Sequence, residues 1–179
     1  MKTYSAIDIA NFYIQLVHSL PDDSIDNLKL NKLLYYVQGW SLNRLGRVMF
    51  REDIQAWDLG PVIPAVYHQF KACGKRSIEA PEAEFDESRL STEELELLID
   101  VYRFYGKYTG WALKEMTHEA GSPWDMAYEQ NKNRIIPVES LKEHFAKETL
   151  PSFELKNLSI PVVQYIPAEW DTVEDAVYD

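Results

Sequence analysis

Four histidines, His18, His68, His118 and His144, and one cysteine, Cys73, carry the side chains best suited to bind a metal or attack an electrophile. A zinc site needs about four ligands, or three and a water. No two of these histidines stand four apart on a helical stretch, and no HExxH is present. His118 and Glu119 are adjacent in THEAGSPW, which puts their side chains on different sides of a regular helix. A small hydrolase using His118, Glu119 and His68 is the catalytic alternative these residues leave open. The simpler expectation is that His118 orders the loop toward Trp124 through a backbone hydrogen bond. Cys73 lies between Ala72 and Gly74, with nothing nearby in sequence to activate its thiol. There is no GxSxG, no GxGxxG and no GxxxxGK[ST]. The acid pairs Asp22-Asp23 and Glu93-Glu94 fall in a loop and at a helix start, where solvation and capping explain them. Acid–base work would need a desolvated carboxylate. Lys32 sits within an apolar stretch, and its stem is expected to carry the charge out to water. These residues make no catalytic constellation, so no catalytic residue, metal or cofactor is expected.

The elements that would position them follow from hydrophobic spacing. LKLNKLLYYVQGW places Leu30, Leu33, Leu34, Val37 and Trp40 at three- and four-residue steps, with Leu28, Tyr35 and Tyr36 widening the face. The spacing predicts a central helix over about 28–45, with other elements packed around it. Gly39 inside it predicts close approach by a neighbour. Ser5 with Asp8 opens a first helix over 5–18. A small hairpin is expected over about 48–57. Asp58-Leu59-Gly60-Pro61 reads as a turn with positive φ at Gly60, and a third helix follows over about 61–72. Residues 73–90 read as a solvated acidic loop. Ser91 caps a fourth helix with Leu95, Leu98, Ile99, Tyr102 and Tyr105 inward. A short helix over 109–117 offers Trp111, Leu113 and Met116 to the core, and Val138–Phe145 forms a last one. An extended segment follows, with a strand expected over 158–166. The class is mainly α, with residues 1–147 as one helical domain and 148–179 as an acidic C-terminal extension.

Composition narrows the function. Of 179 residues, 46% are hydrophobic, and five Trp and eleven Tyr serve cores and interfaces equally well. A net charge of −11 argues against nucleic acid as a direct ligand and suits a basic protein partner. One cysteine excludes an internal disulfide and fits a reducing, cytoplasmic setting. The N-terminus lacks the pattern of a signal peptide, and no stretch approaches the ~20 apolar residues of a membrane span. Leu33, Leu34, Val37, Val66 and Leu98 are expected in the core. Tyr35, Trp57, Tyr67 and Trp124 suit either the core or a partner-binding groove. Trp170, Asp171, Val173, Glu174, Val177 and Tyr178 form an acidic arm able to bind a partner.

Three ordered blocks are more specific. LKLNKLLYYVQGW, IQAWDLGPVIPAVYHQFK and MTHEAGSPW resemble the SocA-like, or Panacea, antitoxin domain over roughly residues 5–130. They match its K-L-x-K-L-L-Y-Y-x-Q-G-W-like helix, its E/Q-A-W-x-x-G-P-V-x-P-x-V-Y segment and its T-H-E-x-x-P-W segment. Asn31 departs from a common glutamine and Ala120 from a common acid, and neither touches the apolar framework. The resemblance implies a mostly helical antitoxin of bacteria and prophages. Its partner would be a cognate protein toxin, neutralised by direct, chaperone-like binding. One branch of the family implies an alternative: a proteolytic adaptor that delivers the toxin to an ATP-dependent protease.

Overall fold

The structure, a computed structural model, describes residues 3–150; the strand expected over 158–166 and the arm from Trp170 to Tyr178 lie outside them. The described chain is mainly helical with a small antiparallel sheet. Its hub is α2, Asn27–Arg44, capped by the Asp26 carboxylate, which accepts from the Lys29 amide at 2.7 Å. Every side chain from Lys29 to Leu42 is buried. That follows from neighbours on all sides: α1 (Ala6–His18), α3 (Pro64–Gln69), α4 (Thr92–Tyr105), α5 (Gly110–Thr117), α7 (Val138–Phe145) and a strand all touch it. The expected core residues Leu33, Leu34, Val37, Val66 and Leu98 are all buried.

Capping boxes open α1 and α4, through Ser5 with Asp8 and Ser91 with Glu94. Glu94 is also the anchor of a polar knot, taking the Tyr4 hydroxyl at 2.8 Å and the Arg47 guanidinium. Arg44 bonds Asp100 at 2.6 Å and so ties the end of α2 to α4. Helix α7 lays Phe145 across Gly39, where it meets Tyr35, Tyr36 and Trp40 edge-on. The approach expected at Gly39 is therefore made by a phenyl ring.

The strands fall later than the spacing predicts. Strand β1 is Gln55–Trp57 and β2 is Gly60–Val62, with Trp57 opposite Gly60 and Asp58-Leu59 as the turn. Residues 48–50 make no hairpin because their backbone groups are taken elsewhere. Gln38 accepts from the Met49 amide at 2.9 Å and donates to Phe50 O at 2.9 Å, while Tyr4 N bonds Met49 O at 3.1 Å. Strand β3, Arg134–Ile135, adds to the free side of β1, giving the order β2-β1-β3. Pro61 lies in the edge strand β2, where a missing N–H is tolerated, and Pro64 opens α3 instead. After α5 comes α6, Pro123–Ala127, capped by Ser122.

Other expectations are corrected by burial. Trp111 and Met116 are 39% and 37% exposed, because Leu113 alone of the three points toward α2. Leu97 and Val101, rather than Leu95 and Ile99, are the fully buried aliphatics of α4 beside Leu98. The acidic 73–90 segment is not wholly solvated, since Ile78 and Phe85 insert into the core. Gln15 holds the Phe85 backbone from both sides, and Asn11 accepts from the Glu82 amide at 2.9 Å. Among the described residues no helix is long and apolar enough to cross a membrane.

Candidate partner-binding groove

The first turns of α2 carry three polar residues on the side facing β2 and α3: Asn27, Asn31 and Lys32. Buried amides must find partners, and here they form a chain. The Ile63 amide donates to Asn31 Oδ1 at 2.9 Å, Asn31 Nδ2 donates to Asn27 Oδ1 at 2.9 Å, and Asn27 Nδ2 donates to Tyr67 O at 2.9 Å. Lys32 Nζ donates to Pro61 O at 3.0 Å. These bonds fix α2 to the strand–helix segment that follows the hairpin. Above them a pocket of about 450 Å³ opens between α2, the hairpin turn and α3. Trp57 and Tyr67 form its aromatic side, ring centres 4.9 Å apart and 64° edge-on, with Asp58 and Lys71 also lining it.

The Lys32 stem does not reach water, contrary to expectation: the residue is 0% exposed. Burial lowers its pKa to about 7, with the Lys114 charge adding to the effect and Asp26 opposing it. Among the described residues no carboxylate lies within ion-pair distance of Lys32. A signal was present in the sequence. A helix apolar on most sides leaves a lysine in its second turn no short route to the surface.

A second feature braces the turn. Trp124 is sandwiched between His118, at 3.6 Å and 7°, and Tyr128, at 4.5 Å and 20°. Its Nε1 donates to Trp57 O at 2.8 Å, and the Tyr128 hydroxyl donates to Asp58 Oδ1 at 2.9 Å. Two aromatic residues of the α6 region thus clasp the hairpin turn. His118 orders this loop by stacking rather than by the backbone hydrogen bond expected. Its Nε2 is buried with no hydrogen-bond partner among the described residues. Burial first, then the charges of Lys114 and Lys32, lower its pKa to about 4.

Of the four aromatic residues proposed from sequence, Trp57, Tyr67 and Trp124 come together here. Tyr35 does not: it is 2% exposed and packs on Phe145 and Tyr36 in the core. Of the residues named for a hydrolase, His68 lies beside Tyr67 and Trp57 at ring distances of 5.3 and 6.3 Å, and His118 lies under Trp124. Among the described residues no group of three or more His, Cys, Asp or Glu is placed to hold a metal ion.

The His118 stack carries a pH prediction. The folded ring ionises near pH 4 and the unfolded one near 6.5, so the unfolded chain takes up the proton first. The stack's contribution is complete above about pH 6.5 and is lost as the pH falls toward 4. The urea midpoint is expected to drop between pH 7 and pH 5. In His118→Phe, which keeps a stacking ring without the titration, it should drop measurably less.

Comparison with known proteins places these elements together. The family profile described as "Antitoxin SocA-like, Panacea domain" matches residues 30–125, which run from the first turn of α2 through the hairpin to α6. Antitoxin SocA of Caulobacter vibrioides (strain NA1000 / CB15N) is 31% identical over 189 residues, covering 98% of this chain and 94% of that protein. No solved structure gives a significant match.

Proposed function

Because the chain belongs to the SocA-like, Panacea-domain antitoxin family, we propose that it neutralises a cognate protein toxin by direct, chaperone-like binding, with no catalytic step. The observation that carries this reading is the groove. It is of a size that receives side chains of a partner, it has an aromatic wall, and hydrogen bonds to α2 hold it in shape before any partner arrives. Aromatic walls of this kind supply much of the energy in protein interfaces. Residues 1–147 serve as the scaffold, and residues 148–179 add a second contact through Trp170, Asp171, Val173, Glu174, Val177 and Tyr178. This acidic arm complements the basic sites of toxins that act on RNA or nucleotides.

Co-expression tests the reading. A neighbouring gene is expected to be lethal alone and tolerated with this protein, and the two products should co-purify. Trp57→Ala removes the ring from the groove but keeps the carbonyl that accepts from Trp124. Deletion of 168–179 removes the arm. Each is expected to weaken rescue by at least tenfold in inducer titration, with circular dichroism confirming a folded chain. Rescue undiminished in both variants, or a neighbour without toxicity, contradicts the proposal. A toxin half-life shortened by this protein would favour delivery to an ATP-dependent protease instead.

A further inference from the structure

Lys32 is an uneconomical way to fasten α2 to β2. An ammonium group taken fully out of water is costly unless a carboxylate or several hydrogen bonds compensate it. Here it donates one hydrogen bond among the described residues, to Pro61 O, and no carboxylate is within ion-pair distance. An aliphatic side chain would fill the same space without that cost. The two neighbouring asparagines already bind α2 to the same segment. The lysine nevertheless lines the groove, with Lys71 as a second cation beside Tyr67.

We infer that the groove is a carboxylate-recognition pocket: an acidic side chain of the toxin enters between the hairpin turn and α2 and pairs with Lys32, while Trp57 and Tyr67 cover its apolar stem. This deepens the antitoxin reading and rests on it. Charge complementarity selects the occupant. Among the described residues the groove ends against a desolvated cation that lacks a counter-charge; Lys32 is fully covered in the free protein and is uncovered as an incoming carboxylate supplies both the charge and the missing acceptor. The acid Asp58 at the turn is occupied by the Tyr128 hydroxyl.

A proton accompanies this pairing. The groups facing Lys32 are Asp26 at the start of α2, and Lys114 and His118 on and at the end of α5. Asp26 is engaged by the Lys29 amide. With Lys32 ionising near pH 7 in the free protein, much of it is neutral at pH 8. A carboxylate partner restores the charged form, so binding at pH 8 takes up a proton and weakens as the pH rises.

The experiment uses the full chain and the protein encoded by the neighbouring gene, carrying a substitution that abolishes its toxicity. Calorimetric titration at pH 8 in phosphate and in Tris, whose ionisation heats differ, reads proton uptake directly on the unaltered protein. Net uptake approaching one proton per complex is expected. Lys32→Met should bind at least tenfold more weakly, take up no proton, and melt no lower than the parent. Replacing the responsible toxin acid, Glu→Gln or Asp→Asn, should cost the parent the same factor and cost Lys32→Met nothing further. Unchanged affinity of folded Lys32→Met, or no proton uptake by the parent, overturns the inference. So does full proton uptake with no toxin acid whose replacement weakens binding. If the parent does not bind at all, it is the antitoxin reading that fails.

Discussion

Gly39→Val is expected to lose about 3–5 kcal/mol of folding stability, the range seen when a buried aromatic loses its place. A Cβ at this position would overlap three Phe145 ring carbons, far inside van der Waals contact. Phe145 is 1% exposed and sits in a nest of Tyr35, Tyr36 and Trp40, so its ring has no neighbouring space to move into. The added bulk must therefore push α7 off α2 or bend α2. Such a loss is a large share of the ~5–15 kcal/mol that holds a domain folded. Urea unfolding of Gly39→Val, Phe145→Ala and the double variant tests the cause. If the ring is what the valine strikes, the double variant loses clearly less than the sum of the two single losses. Simple additivity would show that the contact is not the reason.

Gly60→Val is expected to be of similar severity for a different reason. Gly60 has φ +97°, outside the range a β-branched residue adopts, which costs on the order of 1–3 kcal/mol. Its Cβ would also stand 2.7 Å from Lys32 Cε and 2.9 Å from Thr117 Oγ1. Displacing a fully buried lysine adds an overpacking cost of about 1–3 kcal/mol. The side chain that moves is the one proposed to hold the toxin's carboxylate. Loss of binding is thus expected even in a milder Gly60→Ala variant that still folds. Denaturation with and without Lys32→Ala separates the two costs: removing Cε and Nζ should recover the part of the steric cost due to the lysine and leave the backbone part and the Thr117 contact.

The central helix and its caps were legible in the sequence because local signals decide them. Three- and four-residue spacing places α2, and paired Ser and acid residues place the starts of α1 and α4. The hairpin was displaced because β pairing depends on which backbone groups remain unclaimed. Gln38 and Tyr4 claim those of residues 48–50, and neither is near them in sequence. Trp111 and Met116 share the apolarity of Leu113, and only the packing of α5 on α2 separates them. Trp57 and Tyr67 in the groove, and Trp124 bracing its turn, could be named from residue type. Their assembly rests on Trp124 Nε1 reaching a carbonyl 67 residues away. Lys32 was misjudged because a long stem usually escapes to water. Here α5, β2 and the hairpin turn close over it.

The central claim is that this protein acts by holding a toxin in a stoichiometric complex. The most direct test is to mix the purified protein with its purified toxin, measure the mass of the complex by light scattering, and then separate the partners in denaturant and refold the toxin. The account predicts a defined complex in which the toxin is silent, followed by recovery of intact, fully active toxin. A toxin chemically altered after contact, or silenced by amounts of this protein far below one per toxin, would contradict it.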